Sequence, residues 1–121
     1  MATILVVEDE AEIRKLIREA LERENHQVFE ASNGQEGVEM FKKRPTDLVL
    51  TDIYMPVKGG TDTIIEIKSM SREVKIIAIS GGGIFAPSEF LAIAKRHGAD
   101  CVLSKPIIFD QLVLEIQKLV N

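Results

Sequence analysis

Five times along the 121 residues a short apolar run is followed by a longer stretch of helical period, and this alternation is what most restricts the fold. The runs are Ile4–Val7, Gln27–Ala31, Leu48–Thr51, Lys75–Ile79 and Cys101–Leu103. Strands alternating with helical patterns predict βαβ units around a parallel sheet. Most of the runs are apolar throughout, as strands covered by helices on both faces must be. The second run is the exception and reads as an edge. The expected architecture is α/β: a (βα)5 doubly wound, five-stranded parallel sheet, built as one domain over residues 1–121.

Between the first two strands, Ile13, Leu16, Ile17, Ala20 and Leu21 form the stripe of an amphipathic helix, with Glu12, Lys15, Glu19, Glu22 and Arg23 on the solvated face. A second helix follows the Asn33-Gly34 turn and ends before Pro45, whose ring cannot continue it. A third covers roughly Asp62–Met70. The fourth opens near Pro87-Ser88 and closes at Gly98, which can take the left-handed cap conformation. The fifth starts from Asp110 as N-cap and turns Leu112, Val113, Ile116, Leu119 and Val120 inward.

With 45% apolar residues, a domain of this length builds its core without disulfide or structural metal. Lys plus Arg number 15 against 19 Asp plus Glu, a formal net charge of −4, and no basic cluster interrupts the chain. Direct nucleic-acid binding is therefore disfavoured. Met1-Ala2-Thr3 lacks the basic start of a secretory leader, and the longest apolar run, Phe90–Ala94, is far short of a membrane span. The single cysteine, Cys101, sits in an apolar run read as a buried strand. These features fit a cytoplasmic protein with no membrane contact.

In an open α/β sheet, ligands bind beyond the carboxyl ends of the strands, where strand order reverses. The residues just past the strands are Glu8 and Asp9, then Asp52, Ser80 and Lys105. In the flavodoxin-like order 2-1-3-4-5 the first and third strands are neighbours, so Glu8, Asp9 and Asp52 converge on one crevice. Two carboxylates ~4 Å apart repel by about 4 kcal/mol at an effective dielectric of ~20, so the cluster requires a cation or a proton. Oxygen ligands without His or Cys favour a hard ion, and Mg²⁺ fits better than Ca²⁺ because no EF-hand loop is present. A lysine and a hydroxyl nearby are what phosphoryl oxygens want. Asp52 is then a candidate nucleophile for a phosphoryl group.

Leu5-Val6-Val7-Glu8-Asp9-Glu10, Asp52-Ile53-Tyr54-Met55-Pro56 with Gly60 beyond, Ser80 after Ile76–Ile79, and Gly98-Ala99-Asp100 leading to Lys105-Pro106 resemble the receiver domain of bacterial two-component response regulators. The resemblance spans essentially the whole chain. It implies a phosphorylation-controlled switch, not an enzyme, in which Asp52 accepts a phosphoryl group from a histidine kinase or histidine phosphotransfer protein. It further implies Mg²⁺ ligation by Asp9, Asp52 and the backbone carbonyl of Tyr54, with Glu8 acting through water. Ser80 and Lys105 would contact the phosphoryl oxygens, and Lys105-Pro106 would be a cis peptide. Helix four, strand five and helix five are the family's usual contact face, which makes Phe90–Arg96 and Gln111–Lys118 candidate surfaces for an unknown downstream protein. Val102 stands where the family often carries an aromatic rotor, so Ser80 and the loop Gly81-Gly82-Gly83-Ile84-Phe85 are expected to carry the switch.

Taken singly, these residues have plainer readings. Asp52 could be a turn residue, Asp9 could open a capping box with Glu12, Lys105 could be a surface lysine, and the triple glycine a mobile loop. His26 and His97 read as surface residues. A haloacid-dehalogenase-type phosphatase would need a second acid two residues after Asp52, where Tyr54 stands. A flavodoxin would meet repulsion between its phosphate and Glu8-Asp9-Glu10. A phosphorylation-independent docking module would keep the fold but has no need of all the site residues.

Overall fold

The computed structural model describes residues 1–53, 58–80 and 87–120. Tyr54, Met55 and Pro56, together with residues 81–85 of the expected switch loop, lie outside these. Five strands, β1 (Thr3–Val7), β2 (Gln27–Ala31), β3 (Leu48–Asp52), β4 (Lys75–Ser80) and β5 (Cys101–Ser104), alternate with five helices. The helices are α1 (Ala11–Arg23), α2 (Gly34–Lys43), α3 (Gly60–Met70), α4 (Pro87–His97) and α5 (Phe109–Val120). The strands form one sheet in the order β2-β1-β3-β4-β5, every pair parallel. The expected doubly wound α/β fold is therefore the one observed.

Successive strand residues point to opposite faces, and this alternation splits the core in two. Leu5, Val7, Val49, Ile76 and Ala78 pack with Val38 and Phe41 of α2, Ile64 and Ile67 of α3, and Ala94 of α4. Ile4, Val6, Leu48, Leu50, Ile77 and Ile79 pack with Ile17 and Leu21 of α1 and Leu112 and Ile116 of α5. Burial on both sides explains why the inner strands carry no polar alternation. β2, at one edge, is only half-buried along most of its length.

Local chemistry sets the helix ends. Asn33 caps α2, its side chain accepting from the Glu36 N–H at 2.9 Å, while Glu36 reaches back to the Ser32 N–H at 3.0 Å. α4 closes on Gly98 at φ 119°, with the Ala99 N–H donating to the Ala94 carbonyl at 3.0 Å.

Several sequence expectations are corrected. Leu16 is 53% exposed, because the sheet needs only Ile17, Ala20 and Leu21 from α1. Leu16 instead borders an open apolar groove with Ile13, Pro106, Ile107 and Phe109. α5 begins at Phe109, which places Asp110 in its first turn, where a carboxylate still suits the helix dipole. His26 is buried, since it leads into β2 beside the start of β1 and its Nδ1 accepts from the Ala2 N–H at 3.0 Å. Burial and then the N-terminal amine lower its pKa below 6.5. His97 is half-buried. Cys101, half-buried instead of fully buried, is pushed up to about 11 by desolvation and the Glu115 carboxylate, to which its Sγ donates at 3.6 Å.

Candidate functional site

The carboxyl ends of β1, β3 and β5 bring three charged side chains into contact. Glu8 directly follows β1, tied to β2 by its N–H on the Ala31 carbonyl at 3.1 Å. Asp52 ends β3, in register with Ile79 of β4. Lys105 follows β5, its N–H donating to the Ser80 carbonyl at 2.8 Å. From there the Lys105 ammonium meets Asp52 Oδ2 at 2.6 Å and Glu8 Oε1 at 3.2 Å. Both acids are almost fully enclosed, Glu8 at 2% and Asp52 at 3% exposure.

A second acidic grouping adjoins the first. Carboxylate oxygens of Glu8, Asp9 and Glu10 all lie within 4.8 Å of one another, with Asp9 and Glu10 exposed. Glu10, not singled out from the sequence, is the N-cap residue of α1 and makes no side-chain cap bond, so Asp9 and Glu12 do not frame that helix as a capping box. Its N–H instead donates to Glu8 Oε2 at 3.1 Å. Ser80 ends β4, half-buried, and Tyr54 is outside the described residues. The Lys105–Pro106 peptide is cis. Gly60 packs so near the end of β3 that a Cβ there would run into the Asp52 carbonyl and Ile53 Cα, so glycine lets α3 start against the strand that carries Asp52.

Charge balance in the crevice is incomplete. Burial, a hydrogen bond that the protonated carboxyl donates to Asp9, and the charge of Asp52 push Glu8 from 4.5 up to about 7, although the Glu10 N–H and Lys105 oppose the rise. Burial alone would lower the Lys105 pKa, but its hydrogen bond to Asp52 and the charges of Asp52 and Glu8 outweigh that and raise it. One ammonium therefore does not neutralise the surrounding carboxylates. An all-oxygen donor set with surplus negative charge and no His or Cys is what a hard divalent cation needs, so the residues fit Mg²⁺.

The raised Glu8 pKa gives a pH dependence of definite sign. Folding takes up a proton at Glu8, so its contribution is fully present below pH 4.5 and is lost as pH rises through about 7. Without divalent cation, Glu8→Gln is expected to flatten the fall in Tm between about pH 5 and about pH 8, removing a linkage worth at most on the order of 3 kcal/mol of unfolding free energy. Parallel pH–Tm curves for variant and parent would show that Glu8 carries no such linkage.

A family model described as the response regulator receiver domain matches residues 4–117. Over 103 residues the chain is 39% identical to the chemotaxis protein CheY of Halobacterium salinarum, covering 85% of this chain and 83% of that one. It is 34% identical over 119 residues to CheY of Bacillus subtilis, covering 98% and 97%. The crystal structure of a response regulator receiver domain protein from Clostridium thermocellum superposes with a TM-score of 0.91 at 32% identity, covering 100% of this chain and 95% of that one. Other relatives are longer, and the chain spans 49% of a probable transcriptional regulatory protein of Picosynechococcus. Among the described residues, no helix is long and apolar enough to cross a membrane.

Proposed function

The chain belongs to the response regulator receiver domain family, and from that membership we propose that it is a cytoplasmic, Mg²⁺-dependent switch whose phosphoacceptor is Asp52. The observation that carries this reading is the buried contact of Asp52 with the Lys105 ammonium, beside acids that the lysine does not balance. The donor is a histidine kinase or a histidine phosphotransfer protein. An Asp52 oxygen attacks the donor's phosphorus, the P–N bond to the donor imidazole breaks, and a P–O bond to Asp52 forms. Positioning and charge are what such a transfer asks of the protein. Lys105 supplies a fixed cation, and Ser80 a hydroxyl at the end of the adjacent strand.

Glu8, Asp9, Asp52 and the Tyr54 carbonyl would hold Mg²⁺, which when bound would supply positive charge to phosphoryl oxygens and carboxylates alike. The protein turns over no free substrate of its own. Its output is contact with another protein through Phe90–Arg96 and Gln111–Lys118, where Ile93 is 37% and Leu114 57% exposed. Val102 is packed against the core and has no polar tip to swing outward, so the signal passes through Ser80 and the residues that follow it.

Acetyl phosphate, followed by intact mass, tests the reading. Labelling is expected in Mg²⁺ and not in EDTA. Equal labelling in both would remove the metal requirement, and none in either would favour a docking module without phosphorylation. Sustained turnover of unrelated phosphate esters would mark a phosphatase.

A further inference from the structure

Arg14 stands in the second turn of α1 and would pass on a helical wheel for a solvated charge. Its guanidinium is committed elsewhere. Nη1 donates to the Glu8 backbone carbonyl at 2.7 Å, and Nε donates to Glu30 Oε1 at 3.1 Å. Glu30 lies on β2 and is also held by Arg18, whose Nη1 meets its Oε2 at 2.6 Å. The Arg14 side chain is only 19% exposed. A planar fork thus bridges the edge strand to the segment that turns from β1 into α1.

That segment is the one carrying Glu8, Asp9 and Glu10. Its backbone is fixed at Glu8 by the Ala31 carbonyl on one side and by Arg14 on the other, while Glu10 N–H and Lys105 hold the Glu8 carboxylate. The carbonyl of Glu8 belongs to the peptide plane that leads into Asp9, so holding it sets the direction in which the Asp9 side chain leaves the chain. Because Glu30, with Glu22 taking up part of the charge of Arg18, compensates the two guanidinium groups, Arg14 can fix the turn without cancelling the negative charge that a cation requires.

We infer that Arg14 is a positioning residue for the cation site: it sets the β1–α1 turn so that Asp9 and Glu8 present their oxygens to one divalent ion. This rests on the reading of Asp52, Asp9 and Glu8 as a Mg²⁺-dependent phosphorylation site. The role needs two donors in one plane, one for a carbonyl and one for a carboxylate. Lysine, a point donor on a flexible stem, cannot supply both together.

Titration of the full chain with MgCl₂ by calorimetry tests this independently of phosphorylation. Arg14→Gln and Arg14→Lys are each expected to weaken Mg²⁺ binding about tenfold, the range typical for groups that orient metal ligands. The Mg²⁺ concentration for half-maximal labelling by acetyl phosphate should rise by the same factor, with the rate at saturating Mg²⁺ unchanged. Glu30→Gln, which loosens the arginine without removing it, should shift Mg²⁺ affinity in the same direction and gives the result if the Arg14 variants do not fold. Unchanged Mg²⁺ affinity in a folded variant, or full rescue by Arg14→Lys, overturns the inference. If the unsubstituted chain binds no Mg²⁺, both the inference and the metal-dependent reading fall. If it binds Mg²⁺ but is never labelled, only the phosphorylation reading falls.

Discussion

Asp52→Asn is expected to reduce labelling by acetyl phosphate to background while the chain stays folded. The amide keeps the size of the carboxylate and an oxygen that can accept from Lys105, but its nitrogen carries no nucleophilic lone pair toward phosphorus. Glu8 remains beside the Lys105 ammonium, so no buried charge is orphaned by the substitution. Intact mass after incubation with Mg²⁺ and phosphodonor is the measurement, with far-UV circular dichroism as the check on folding. Labelling that persists in the folded variant would move the acceptor to another side chain, and Asp9, the exposed acid next to Glu8, would be the first to examine.

Lys105→Met should have the largest effect on stability. It keeps the apolar stem while deleting the one cation that, among the described residues, contacts both Asp52 and Glu8. Two enclosed carboxylates would then lose the ammonium that they share, and removing one partner from a buried ion pair costs on the order of 3–5 kcal/mol. The penalty requires ionised acids. It should therefore grow as pH rises and shrink in acid, as Glu8, already held up to about 7 with the lysine present, takes up a proton. Added Mg²⁺ should restore part of the loss. Urea denaturation at two pH values, with and without the cation, measures all of this, and a pH-independent loss that Mg²⁺ leaves untouched would assign the lysine to packing alone.

The strands were legible because a doubly covered parallel sheet imposes near-continuous apolar runs, and their order put Glu8 and Asp52 at neighbouring strand ends, with Lys105 one strand beyond β4 on the same edge of the sheet. What escaped the sequence depends on contacts between elements. Leu16 belongs to the same periodic stripe as Ile17, yet only the packing of α1 on the sheet decides which of the two is enclosed. His26 owes its burial to a bond with Ala2, 24 positions away. Arg14 looks like any charged helix residue until β2 brings Glu30 beneath it, and nothing in the spacing announces that its other branch holds a carbonyl. Glu10 joined the acidic group through the geometry of the turn into α1. Asp110 moved from cap to first turn because the cap lies two positions earlier, the scale on which helix ends are always uncertain from sequence.

The Lys105–Asp52 contact closes a loop of 53 positions, and Glu8 joins it from the other end of the chain. No fragment shorter than nearly the whole fold can assemble such a site, because each member is delivered by a different strand. Chemical modification of Asp52 is thereby made conditional on native structure: a nascent, misfolded or proteolysed chain offers a phosphodonor only a scattered set of acids. The yield of phosphoprotein across a denaturant series should consequently trace the native fraction, so that the signalling pool counts only molecules competent to transmit.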